Sequence, residues 1–335
     1  MRLVRILAVG VVVGTFVAGC GSSSGTGSSA ASSAASAPAA PSSTHAAKVV
    51  IGYGAPVAEQ LLPRFAVDQG IFKRNGLAVT VEQLTNASVV IPGLRSGGIT
   101  FDVMSSPQPE EGTAAGVSLK WLAMWNSKPD VQLCVQPGIT SVQDLSGKAV
   151  GISSTGSTTG ILLENYLPKA GVPLDKVHLV PLGSEGAQAQ SFIAGQIAAF
   201  VCGPPVTQSV LAKRKGAKVL VNLADQYQWN GAGLVGYMPW VQSHEQTTAK
   251  VVTAITEAWA KWKASPAAAE ASIEKATGVP APAATAAYQG SIRAGASGVA
   301  PSAAIESSVL AVLAKQLPNT KSLTPTQMVD TAFAH

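Results

Sequence analysis

The densest polar chemistry in the chain is SSTGSTTG, residues 153–160, where six of the seven positions 153–159 carry a hydroxyl. An apolar run, KAVGI, precedes it, and a stretch with helical spacing, ILLENYL, follows. Hydroxyls and unpaired backbone N–H groups at a helix start can hold an anion or a polar ligand. Ser153, Ser154, Thr155, Ser157 and Thr158 are therefore candidate ligand contacts. A plain N-cap needs only one of them. Glu59 and Gln60, in GAPVAEQ, offer partners for an amine or a hydroxyl, and read equally as a solvated helix start. Ser105 and Ser106 close the run ITFDVM, and Pro204 lies in GPPV. Glu185, in GSEGAQ, sits at a helix start, where the helix dipole alone favours a carboxylate. Trp229 and Asn230, in YQWNGAG, place a ring that stacks on a flat solute or packs beneath its loop.

Catalytic constellations are thin. Of the four histidines, His45 falls in a low-complexity run and His335 is the last residue, leaving His178 and His244. Residues 151–155 are Gly-Ile-Ser-Ser-Thr, so the closing glycine of a hydrolase elbow is missing. No Cys/His spacing fits a metal site. The expectation is a protein that is not an enzyme and uses no cofactor.

The elements that carry these residues alternate. Residues 48–54, 77–84, 99–106 and 119–125 read as strands with helical stretches between them. The order recurs at 148–154, 177–182, 197–202 and 218–223. Such alternation implies mostly parallel α/β sheets. GGITFDVMSSP and GQIAAFVCGPP share ten-residue spacing from Gly97 to Pro107 and from Gly195 to Pro205, which points to two similar α/β lobes. In open α/β sheets ligands lie beyond the carboxyl ends of strands, and the loops named above follow strands, except YQWNGAG, which precedes the second crossover strand. Trp259 and Trp262 share a helical face with Val252 and Ile255 and read as core.

The ends of the chain speak to location. Arg2 and Arg5 precede an apolar stretch, residues 6–18, too short to span a bilayer. This is a secretory signal pattern. Its ending, Val17-Ala18-Gly19-Cys20, resembles the bacterial lipobox, which makes Cys20 a lipid anchor. Residues 21–47 are almost entirely Ser, Gly, Ala, Thr and Pro and form a flexible tether. Lys and Arg number 23 against 18 Asp and Glu, with no basic stripe, which argues against a nucleic-acid partner. Past Cys20 only Cys134 and Cys202 remain, a disulfide in an exported protein or two buried thiols.

Taken together, the chain resembles solute-binding proteins of ABC importers of the aliphatic sulfonate, nitrate and taurine type, a group that includes binders of thiamine-pyrimidine precursors. The resemblance rests on Ala66, Gly70, Ile71, Phe72, Gly76, Leu77 and Val79, then on Gly98 and Asp102. It continues through ITSVQDLSGKAVGISSTGS and FIAGQIAAFVCGPP. The sequence departs at Ala198, where the family's second-lobe strand carries an acidic residue. It departs again at Gly203 and Pro204, where a bulky aromatic and an acidic residue are usual. The resemblance implies a two-lobed periplasmic-binding-protein fold of type II. Residues 48–135 and 236–335 would form one lobe and 136–235 the other, with crossover strands near 131–137 and 234–240 as the hinge. It also implies a monomer on the extracytoplasmic face of a cell membrane that captures a small polar or anionic solute for an importer permease. A membrane-tethered sensor, or an enzyme like the pyrimidine-precursor synthases that share the fold, is the alternative.

Overall fold

The computed structural model describes residues 47–84 and 87–334. The expected signal segment, Cys20 and residues 21–46 of the expected tether lie outside them.

Two five-stranded sheets organise the described chain. The first has the order β2-β1-β3-β10-β4, built from β1 (Ala47–Tyr53), β2 (Leu77–Gln83), β3 (Phe101–Met104), β4 (Leu119–Asn126) and β10 (Ala232–Tyr237). The second has the order β7-β6-β8-β5-β9, from β5 (Gln132–Val135), β6 (Ala149–Ile152), β7 (His178–Pro181), β8 (Ala199–Cys202) and β9 (Lys218–Asn222). The two orders correspond position by position. In each sheet three strands run parallel, and the fourth position holds an antiparallel strand, the first one laid down after the chain passes between the sheets. The two-lobed α/β fold expected from the sequence is thus observed.

Helices cover the sheets. Those on the first half are α1 (Leu62–Asp68), α2 (Ile71–Arg74), α3 (Val90–Ser96) and α4 (Gln108–Ala114); those on the second are α5 (Thr158–Lys169), α6 (Glu185–Ile193) and α7 (Val206–Lys213). After β10 the chain is helical: α8 (Met238–Ser243), α9 (Glu245–Ala264), α10 (Pro266–Thr277), α11 (Ala281–Ala294), α12 (Ala303–Gln316) and α13 (Pro325–Met328). The crossover strand read over 234–240 stops at Tyr237. Pro239 lies in the first turn of α8, where its missing N–H costs nothing.

Apolar burial explains the packing. Val251, Val252, Ile255, Trp259 and Trp262 form the inner face of α9, and the Trp262 ring meets Phe65 edge-on at 5.1 Å. Each such side chain contributes about 1.5–3 kcal/mol on full burial. Helix α12 behaves differently from its neighbours. Its Val309 and Leu313 join the core of the second lobe, while Met328 of α13 returns to the first. Gly97 and Gly195 follow α3 and α6 with φ of 77° at both, a left-handed turn that a side chain would strain. These paired turns set β3 and β8 on matching courses.

The lobes meet at two neighbouring connectors, 127–131 and 226–231. The Trp229 N–H donates to the Ser127 carbonyl and the Gly231 N–H to the Asn126 carbonyl, each at 3.0 Å. Among the described residues no helix is long and apolar enough to cross a membrane.

Candidate functional site

A cavity of about 190 Å³ opens between the lobes beyond the carboxyl ends of β1, β3, β6 and β8. The first lobe contributes Glu59, Gln60 and Ser105, and the second Ser153, Thr158, Glu185 and Pro204. The connectors add Asp130 and Trp229. Eight of the residues singled out from sequence therefore share one cavity. The rest do not line it. Ser154 and Thr155 are exposed, and Ser157 caps α5, accepting from the Gly160 N–H at 3.2 Å. Ser106 and Asn230 are buried behind the wall. Asp130 and Thr159 complete the lining without having been picked out individually.

Local structure explains how the hydroxyl loop is spent. Ser157 Oγ takes the Ser154 N–H at 3.3 Å and donates to the Ser154 carbonyl at 2.7 Å. Thr159 Oγ1 donates to Ser153 Oγ at 3.2 Å, which also accepts from Gln188 Nε2 at 3.1 Å. A Cβ at position 160 would sit 2.8 Å from the Ser154 carbonyl, so this tight loop needs Gly160. Much of the polarity that reads as an anion cradle is therefore used within the loop. One hydroxyl leaves it: Thr158 Oγ1 donates across the cleft to the Ser106 carbonyl at 2.7 Å. That bond ties the start of α5 to the end of β3. Its net worth is about 1 kcal/mol, so Thr158→Val is expected to shift the balance toward an open form about fivefold, read as a larger radius of gyration by small-angle scattering. An unchanged radius would remove the bond from the closing equilibrium.

The ionisable groups that line the cavity are all acidic. Burial raises Glu59 to about 8, reinforced by Asp130 and Glu185. Burial raises Glu185 to about 7, with the Gly203 N–H at 2.7 Å pulling the other way. Asp130 is raised by burial to about 6, partly offset by Arg293, whose guanidinium lies 3.6 Å away on α11. Glu59 Oε2, Asp130 Oδ1 and Trp229 Nε1 are shielded from solvent and have no hydrogen-bond partner. Among the described residues no three His, Cys, Asp or Glu side chains gather to hold a metal.

Behind the wall lies a second acidic group. Glu110 on α4 and Glu306 on α12 are both fully buried. Glu110 accepts from Ser106 Oγ at 2.6 Å and from Trp121 Nε1 at 3.3 Å, while Glu306 accepts from Asn230 Nδ2. Burial raises both carboxyls, and the negative charge of Glu110 raises Glu306 further. Two buried carboxyls in contact cannot both ionise cheaply, so they share a proton. Sequence offered no signal for this pair, whose members lie at opposite ends of the body.

A larger cavity, about 360 Å³, lies within the first lobe between β3, α3 and α4, and no second-lobe residue lines it. Strands β5 and β8 are cross-linked by a Cys134–Cys202 disulfide.

Known proteins place this architecture. The chain is similar to the periplasmic aliphatic sulphonate binding protein SsuA of Escherichia coli, at 20% identity and a TM-score of 0.67, covering 82% of this chain and 91% of that one. It is similar to the alkanesulfonate-binding protein SsuA of Xanthomonas axonopodis pv. citri, bound to MOPS, at 18% identity and a TM-score of 0.66, covering 83% and 95%. The ligand-binding component of an ABC-type import system from Staphylococcus aureus, with zinc bound, aligns at 12% identity and a TM-score of 0.71, covering 86% and 97%. These likenesses fix the fold. A comparison with curated proteins finds no match. Residues 64–269 match the family described as NMT1/THI5 like. With more than half of its length inside that match, the chain belongs to the NMT1/THI5-like family.

Proposed function

We propose that this protein is an extracytoplasmic solute-binding lipoprotein that captures a small polar solute between its lobes and presents it to an ABC importer permease. The observation that carries this reading is the cleft itself. It lies where ligands of open α/β sheets bind, draws its walls from both lobes, and is spanned by the Thr158–Ser106 bond. A solute touching both walls favours the closed form by its additional contacts there, and a permease can read that form. Structural neighbours named as import or periplasmic binding proteins support the assignment. In this reading the hinge is the connector pair 127–131 and 226–231, Cys20 carries the lipid, and residues 21–46 are the tether.

Two measurements test it. The purified mature protein, screened against small polar solutes, is expected to gain about 2.7 kcal/mol of stability at a hundredfold excess over the dissociation constant, with a smaller radius of gyration when bound. A deletion strain should lose uptake of the same solute; normal uptake would sink the importer role. Separately, Cys20→Ser is expected to release the protein from membranes, and retention there would refute the anchor.

A further inference from the structure

We propose that the solute of this cleft is a small organic cation, an ammonium or an amidinium, held by Glu59, Asp130 and Glu185. The proposal rests on the solute-binding reading above and names its substrate class.

The wall chemistry carries it. Three acidic residues line one cavity from three separate places: the turn after β1, the first connector, and the start of α6. No Lys, Arg or His lines that cavity. Arg293 faces the group from outside, 3.6 Å from Asp130, and is partly exposed. An anion placed here would meet three acidic groups and no cation, and each of them that is ionised would cost it on the order of 1–4 kcal/mol at 4 Å.

The unpartnered atoms point the same way. Glu59 Oε2 and the Nε1 of the fully buried Trp229 have no hydrogen-bond partner, whereas Asp130 Oδ1 faces the Arg293 guanidinium at 3.6 Å. Unpaired buried polar atoms are costly. The Glu59 carboxyl therefore lacks a donor, which a cation supplies. The indole N–H of Trp229 adds a requirement for one acceptor on the solute. The hydroxyl loop, which would have favoured an anion, has its N–H groups at Ser153, Ser154 and Gly160 taken by its own side chains. A metal ion is a poor fit, because the carboxyls do not gather into a coordination cluster among the described residues. An organic cation, whose donors are spread over several atoms, matches carboxyls set on separate walls.

The empty cleft relieves its own repulsion by holding protons, since burial raises all three carboxyls. A cation replaces those protons, so its binding releases them and tightens as pH rises. An anion would take protons up and bind more weakly.

The test uses the mature protein with matched probes: benzamidinium against benzenesulfonate, guanidinium against methanesulfonate, and methylammonium against nitrate. Thermal shift and calorimetry in buffers of differing ionisation enthalpy are the readouts. Cations are expected to bind with proton release and about tenfold more tightly at pH 8 than at pH 6. Glu59→Gln and Glu185→Gln should each abolish that binding while raising the melting temperature of the empty protein at pH 8, a gain that misfolding cannot mimic. Binding of sulfonates or nitrate, lost in Trp229→Ala, would overturn the cation assignment and leave the solute clamp standing. No response to any probe would overturn both.

Discussion

Glu306→Gln is expected to leave stability at pH 5 nearly unchanged and to raise it at pH 8. A glutamine retains both bonds of the site: its carbonyl accepts from Asn230 Nδ2, as Glu306 does now, and its amide donates to the carboxylate of Glu110. What it removes is a titration. Burial raises Glu306 above its unfolded value, so the folded protein holds a proton that the unfolded chain has lost. The stabilisation is fully present below the unfolded value near 4.5 and is lost as pH climbs toward the raised one. Each pH unit in that window costs about 1.4 kcal/mol per proton, so the substitution should recover on the order of 3 kcal/mol by pH 8. Glu59, Glu185 and Asp102 are raised as well, to about 8, 7 and 7, so the native protein keeps a residual decline. Urea unfolding at pH 5, 6, 7 and 8 for both proteins checks this. Parallel curves would show that Glu306 is not protonated in the fold. Glu306→Ala is different in kind: it strands Asn230 and Glu110 in the interior and should destabilise at every pH.

The second large effect concerns the disulfide. Replacing Cys134 and Cys202 together by serine opens a loop with a sequence separation of 68 residues. Chain-entropy arguments put the cost at about 4 kcal/mol, or about 7 °C in melting temperature for a body of this size. The bond lies beside Phe192, Phe200 and Val210 in a small apolar cluster of the second lobe. Serines there add buried hydroxyls, so alanines are the cleaner control. Scanning calorimetry of the double Ala variant, and of the native protein under reducing conditions, should show the same shift. A difference under about 1 °C would mean the cross-link contributes little beyond the strand pairing.

How much of this was legible beforehand follows from the range of each signal. The βα order, the break at Gly70 and the matched turns at Gly97 and Gly195 are local patterns, and each appears where its residues imply. The strand-end rule led to Ser105, Ser153, Thr158 and Glu185, which do line one cavity. The sign of the cavity's charge was not legible. Glu59, Asp130 and Glu185 belong to three loops with no shared spacing, and Asp130 stands in SKPDVQL, a stretch with no ligand pattern at all. The hydroxyl loop misled in a specific way. Composition counts hydroxyls but cannot tell which are consumed by capping, as Ser157 is. Glu110 and Glu306 meet only because α12 crosses to the second lobe, a placement that no helical periodicity encodes.

The late arrival of β10 in the first sheet also orders assembly in time. A chain made from its N-terminus supplies β5 before β6, so the second sheet has all its strands once Asn222 has emerged. The first sheet, begun at Ala47, waits for β10 and Tyr237. The half that starts earliest therefore finishes last, and until then β3 and β4 present unpaired edges to whatever is near. A nascent chain halted between these two points would carry one finished lobe and one sticky, unfinished one, which is the interval in which a holding chaperone would matter most.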